Sequence, residues 1–235
     1  MEKIEENYKC VISIGIRCHT EIFLKRLGFK QFSSPFDGIY SKSILSIIYL
    51  LKNKLCYNEL LYTEDLRDES IKYLNDKHGY RTIHKLFNYN KDNLEYSYHH
   101  ALLPHQNLKN NDVKDHFERC FNRLDKIKHH KIKTLFCLFI HPDYGDDNDV
   151  SNEEINILKN YLFEKFNCNL LVCKFKKTKQ NYEWNIIVNQ NNLIYIHINN
   201  SSHIFDHNEK VLKEIFKYLK IDKSKLLSYN EMEYI

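Results

Sequence analysis

Residues 9–28 read KCVISIGIRCHTEIFLKRLG, and this stretch decides the fold. Residues 9–16 are rich in β-branched side chains and run out at Gly15, the pattern of a buried strand. From His19 to Leu27 the apolar positions Ile22, Phe23 and Leu27 fall at helical spacing, and Gly28 supplies a stop signal. Strand, tight turn and helix in that order put the turn at the carboxyl edge of an open α/β sheet. That edge is where such sheets bind ligands.

The same alternation continues downstream. Gln31–Gly38 reads as a turn-rich loop around Pro35, and Ser41–Asn53 as an apolar-striped helix. Residues 56–78 read as one or two further helices, with Thr63 or Asp65 as a cap. Within 79–110, RTIHKLFNY and LEYSYHHALL are either short strands or an irregular excursion. Val113–His130 predicts an amphipathic helix with Val113, Phe117, Cys120, Phe121, Leu124 and Ile127 on one face. It leads into a buried strand over Lys133–Ile140. Ser151 and Glu154 form a capping-box pattern that opens a helix, followed by a strand over Asn169–Phe175. Glu183–Val188 and Leu193–Ile198 pair as strands around the polar link Asn189–Asn192, and Asn208–Leu219 closes as a helix. The prediction is one α/β domain over residues 1–235, a mainly parallel sheet flanked by helices.

Composition bounds the function. The net charge of +4 comes from lysines scattered along the chain, so no basic face for nucleic acid is expected. Abundant Ile, Lys, Asn, Tyr and Phe with few Gly and Pro point to an A+T-rich coding genome: a low-GC bacterium, a protist or a large DNA virus. Because only five glycines occur, the presence of Gly15, Gly28 and Gly38 in the opening stretch marks backbone demands there. The seven cysteines are odd in number and irregularly spaced, and Cys137 and Cys173 sit inside apolar runs. They read as reduced, buried thiols. The charged N-terminus does not resemble a signal peptide, and no apolar run approaches the ~20 residues of a membrane span. A cytoplasmic protein without membrane contact is expected. There is neither a P-loop nor a dinucleotide fingerprint, and no cofactor is expected.

The chemistry gathers around Cys18. It sits just after a strand, at the first turn of a helix whose positive end stabilises a thiolate. Arg17 and His19 flank it, and either cation lowers its pKa further. The same turn, with Arg17, Thr20 and the helix-start amides, also suits a phosphate or carboxylate. Asp37 either orients a catalytic histidine or caps its turn, and Ser34 reads as a turn residue or a ligand. For the base, His141 directly follows a buried strand, and His203 and His207 lie between the last strand and the last helix. His99, His100 and His105 fall in one segment of unclear structure. The acidic loop HPDYGDDND lacks an EF-hand's spacing, so no metal site is assigned.

These residues also carry a resemblance. VISIGIRCHTEIFLKRLGF followed by SSPFDGIYS is similar to the opening signature of the DUF1796 family, described as papain-like cysteine peptidases. Ser13, Gly15, Cys18, Pro35, Phe36 and Asp37 match its pattern, while Gly38 stands where Trp is common. Arg119 and Arg123 match its Arg-rich helix, and His100 stands where the family tends to a His-Asp pair, although Ala101 follows it here. The resemblance covers about 10–220 and implies a cysteine nucleophile, Cys18.

Three readings stay open at this point. One is a cysteine-dependent hydrolase or acyltransferase using Cys18, a histidine (His141 or His203) and Asp37. Another is a sugar or nucleotide-dependent transferase whose anion site is the 15–20 turn. The third is a non-catalytic binding module. In each, the partner is a small-molecule, glycan or peptide substrate held by residues drawn from Ser13, Gly15, Arg17, His19, Thr20, Ser34 and His100. The oligomeric state is not legible.

Overall fold

A computed structural model describes residues 7–15, 19–37, 40–41, 44–54, 60–62, 82–86, 99–103, 111–141, 150–177, 183–190, 192–200 and 205–235. In chain order the elements begin with β1 (Cys10–Ser13), α1 (His19–Arg26), β2 (Tyr40–Ser41), α2 (Ile44–Asn53), β3 (Leu60–Tyr62), β4 (Thr82–Leu86) and β5 (His99–Leu103). They continue with α3 (Asn111–His129), β6 (Thr134–Ile140), α4 (Asn152–Phe166), β7 (Asn169–Lys177), β8 (Glu183–Gln190) and β9 (Leu193–Asn200). After these come α5 (Phe205–Tyr218), a 3-10 turn at Lys223–Lys225 and α6 (Tyr229–Tyr234).

The main sheet has the order β1-β6-β7-β9-β8. β1, β6, β7 and β9 run parallel, and β8 returns antiparallel on β9 as the outer strand. β6 is buried along its whole length, as a strand covered on both faces must be, and its sequence TLFCLFI carries no polar side chain beyond its first residue. β8 alternates between exposed and half-buried positions, the signature of an edge covered on one side only. The α/β architecture, mainly parallel with flanking helices, is the one expected.

Each face of the sheet packs against its own set of helices. On one side Phe23 and Leu24 of α1, Leu27 just after it, and Leu212, Ile215 and Phe216 of α5 meet Cys137, Phe139, Cys173 and Ile196. On the other, α2, α3 and α4 supply Ile47, Phe117, Leu124 and Leu158 against Ile12, Phe136, Leu138 and Val172. The helical stripe foreseen on α3 is this packing face, with Phe117, Cys120, Phe121, Leu124 and Ile127 all buried.

Local signals explain the element ends. α1 stops where Gly28 takes φ +74°, and the Gly28 and Phe29 amides bond back to the Lys25 and Leu24 carbonyls. The Ser151–Glu154 capping box forms at the start of α4, and Asn167 closes that helix in a left-handed conformation. β8 and β9 are longer than expected, and Asn192 (φ 63°) completes the turn between them.

A second, antiparallel sheet of order β2-β5-β4-β3 corrects part of the sequence reading. Tyr40–Ser41 pairs with β5, so the helix expected from Ser41 begins at Ile44. Leu60–Tyr62, placed in the helical stretch 56–78, pairs with β4 through three register positions. A three-residue strand has no periodicity of its own; it exists through partners that lie about twenty residues away in sequence. The remainder of 56–78, including the proposed caps Thr63 and Asp65, lies outside the described residues.

Candidate functional site

The carboxyl end of β6 carries the first cluster. His141 follows Ile140 directly and is 5 % exposed, with its ring 5.2 Å from that of Phe175. Its Nε2 lies 3.1 Å from the side-chain amide of Asn208, a 2 % exposed residue in the first turn of α5. The buried ring of His19, the first residue of α1, stands 6.2 Å from that of His141. The ends of β6, α1 and α5 thus converge on two histidines and an amide. With the amide nitrogen facing it, Nε2 accepts and the imidazole proton sits on Nδ1. With the amide turned half a rotation, Nε2–H donates to Oδ1 and Nδ1 keeps its lone pair.

Thr20 has a structural task. Parallel pairing of β1 with β6 ends after the Ile14 amide bonds to the Cys137 carbonyl. The next outward amide on β6, that of Phe139, donates to Thr20 Oγ1 at 3.0 Å. The fully buried hydroxyl completes the ladder where β1 has run out, tying α1 to the sheet.

The second cluster surrounds Asp37. Its Oδ1 accepts from the hydroxyls of Ser13, at the end of β1, and of Ser34 at 3.0 Å. Its Oδ2 accepts from the Ser34 amide and from Lys30 Nζ, each at 2.8 Å. The two hydroxyls are 3.1 Å apart, and the Ser34 hydroxyl also takes the Phe36 amide at 3.2 Å. Lys30 reaches Glu21 of α1 as well. Burial works against its charge, but Asp37 first and Glu21 next outweigh it and hold the ammonium above its ordinary pKa. Residues 30–37 are thereby stapled to both β1 and α1.

α3 presents a third set to this loop. Arg123 Nη1 donates to the Ser33 carbonyl at 3.4 Å, and His116 Nε2 is 3.6 Å from Cys120 Sγ. Burial, then repulsion by Arg119 and Arg123, lowers the His116 pKa, with Asp37 acting in the opposite sense. Burial pushes the Cys120 thiol up to about 11, so it stays protonated and unreactive near neutrality. The other described thiols, Cys10, Cys137, Cys168 and Cys173, are buried and unpaired by disulfides, as the composition implied.

Of the residues singled out in the sequence, Ser13, Ser34 and Asp37 therefore share one network, and His19, His141 and Thr20 line the adjacent end of the sheet. Gly15 is buried just beyond β1. His100 lies on β5 opposite Lys85, in the second sheet. Arg17, Cys18 and His203 lie outside the described residues, as does the acidic loop after Pro142. Among the described residues no group of three or more His, Cys, Asp or Glu side chains is placed to hold a metal ion. Nor is any helix among them long and apolar enough to cross a membrane. A cavity of about 280 Å³ between α4 and the β8–β9 hairpin, lined by residues such as Lys159, Ile187 and Tyr195, shares no residue with these clusters.

Two participants escaped the sequence reading. Asn208 carried no local signal, because only the parallel sheet brings the start of α5 to the end of β6. Lys30 looked like one of many solvated lysines. Arg123 was named through the family resemblance alone; its place beside the apolar stripe of α3, where a buried cation must find partners, points to its role.

No curated protein and no solved structure matches this sequence significantly. One family model does, over residues 9–178: DUF1796, "Putative papain-like cysteine peptidase". That span takes in β1, α1, the Asp37 loop, α3, β6 and His141, and it is well over half of the chain. On that match, the protein belongs to the DUF1796 family.

Proposed function

We propose that the protein is a cysteine-dependent hydrolase acting on an amide or ester bond, with Cys18 as nucleophile, His141 as base and Asn208 orienting the imidazole. The observation that carries the reading is the buried His141–Asn208 contact of 3.1 Å at the strand end reached by α1. Cys18 is joined covalently to His19, whose ring is 6.2 Å from that of His141. Cysteine, histidine and asparagine are one of the recurring forms of the nucleophile–base–orienter arrangement. The family description is of the same class of chemistry.

In this scheme Nε2–H of His141 donates to Asn208 Oδ1, and Nδ1 takes the proton of the Cys18 thiol. The thiolate attacks the substrate carbonyl, a sulfur–carbon bond forms, and the protonated imidazole gives its proton to the leaving amine or alcohol as the carbon–heteroatom bond breaks. Water, deprotonated by the imidazole, then cleaves the thioester and returns the thiol. Asp37 serves through the loop it holds, since both of its oxygens are taken by Ser13, Ser34 and Lys30. Thr20 accepts the Phe139 amide, which ties the start of α1 to the end of β6 beside His141.

The test is hydrolysis of a panel of peptide, ester and thioester substrates by the wild type, Cys18→Ala and His141→Ala. Any cleavage should vanish in the first variant and fall at least a hundredfold in the second. Turnover that survives Cys18→Ala would assign the activity to other residues.

A further inference from the structure

The family match ends at residue 178, yet the last residues of the chain reach the loop that carries Ser34 and Asp37. After α5 the chain runs back along the sheet, where the Leu227 amide bonds to the Lys9 carbonyl at 2.8 Å. α6 then packs against α3 with Met232 fully buried. It is held from both ends: Ser228 and Glu231 form a capping box, and Lys126 Nζ bonds the Met232 and Glu233 carbonyls at 3.2 and 2.8 Å. Arg123 links this helix to the loop. Its Nε donates to the Glu233 carboxylate at 2.7 Å, its Nη1 to the Ser33 carbonyl at 3.4 Å, and its guanidinium stacks over Tyr229 at 4.9 Å.

We propose that α6 is a positioning element for the candidate site, with Arg123 as the residue that couples Glu233 and Tyr229 to the Ser33–Asp37 loop. Arg123 is 4 % exposed, so its charge depends on these partners. The planar guanidinium serves both sides at once, one edge to α6 and another to the loop, which a lysine cannot do. Without Glu233 the cation turns outward to water and lets go of the Ser33 carbonyl. The loop is then free to move, and with it the serine–aspartate network that fixes the end of β1, five residues before Cys18. The proposal rests on the hydrolase reading only where reactivity of Cys18 is the readout.

The test compares wild type, Glu233→Gln and Arg123→Lys by hydrogen exchange with mass spectrometry, following the peptide that covers 30–37 and, as reference, those covering β6 and β7. Glu233→Gln spares the capping box and Met232, so α6 keeps its own anchors. Exchange in 30–37 should rise about tenfold in both variants while β6 and β7 stay unchanged, and the lysine should not rescue it. Unchanged exchange in 30–37, or an equal rise throughout the sheet, would overturn the proposal. The alkylation rate of Cys18 by iodoacetamide, measured in the same samples, should fall several-fold in both variants. A wild-type Cys18 of ordinary reactivity, with the loop still responding, would reject the hydrolase reading and leave the coupling standing.

Discussion

Replacing Asp37 by Asn probes the network that holds the site together. In the wild type one carboxylate oxygen accepts the Ser13 and Ser34 hydroxyls, and the other accepts the Ser34 amide and the Lys30 ammonium. An asparagine keeps one acceptor and turns the other into an NH₂ group, which then faces donors. With the oxygen toward the hydroxyls, the Ser34 amide loses its partner, a cost of about 1–3 kcal/mol for a buried donor. The Lys30 ion pair is also lost. Its members are 16 % and 10 % exposed and Glu21 remains as a second partner, so its share is about 1 kcal/mol after allowing for screening. The sum is about 2–4 kcal/mol, a large part of the roughly 5–15 kcal/mol that holds a typical domain folded. Urea unfolding of both proteins reads this as a lower midpoint at constant slope. Ser13→Ala combined with Asp37→Asn should cost less than the two single changes added, because they share hydrogen bonds. A loss below about 0.5 kcal/mol, or strict additivity, would refute the idea that Asp37 organises the loop.

Two further outcomes follow from the packing. Gly28→Ala forces a side chain into φ +74° and sets a Cβ 3.2 Å from Lys223 Nζ, so thermal unfolding should shift down by an amount equivalent to about 1–2 kcal/mol; an unchanged Tm would contradict the strain argument. Burial pushes the thiols of Cys10 and Cys168 up to about 12 and that of Cys120 up to about 11. In the unfolded chain they ionise near 8.5, so the folded state holds the extra protons. That stabilisation is complete below about pH 8.5 and is lost as pH rises toward the folded values. Unfolding free energy should therefore decline between about pH 8.5 and 10.5, with Cys168→Ala showing a shallower decline; a flat profile would count against burial of these thiols.

How much of this was legible beforehand depended on whether a signal was local. β1, α1, the Ser151 capping box and the β8–β9 hairpin are written in short-range patterns, and each is present, with β1 shorter and β8 and β9 longer than those patterns gave. β3 and the short strand β2 were missed, because elements of two or three residues are created by their pairing partners. α6 went unnoticed although Ser228 and Glu231 repeat the box that announced α4. The site divides in the same way. Asp37 and Ser34 stood out as turn chemistry, and the structure shows that turn stapled to β1. Asn208 became visible only through the fold, as the residue that a parallel sheet brings from α5 to the end of β6.

The most direct test of the account is the pH dependence of Cys18 alkylation by iodoacetamide, read by mass spectrometry of the peptide containing it, in wild type, His141→Gln and Asn208→Ala. A thiol activated by His141 shows an inflection well below the ordinary value of about 8.5, returning toward it in His141→Gln and part of the way in Asn208→Ala. An inflection near 8.5 in the wild type, or one that neither substitution moves, would contradict the assignment of Cys18, His141 and Asn208 to a single catalytic unit.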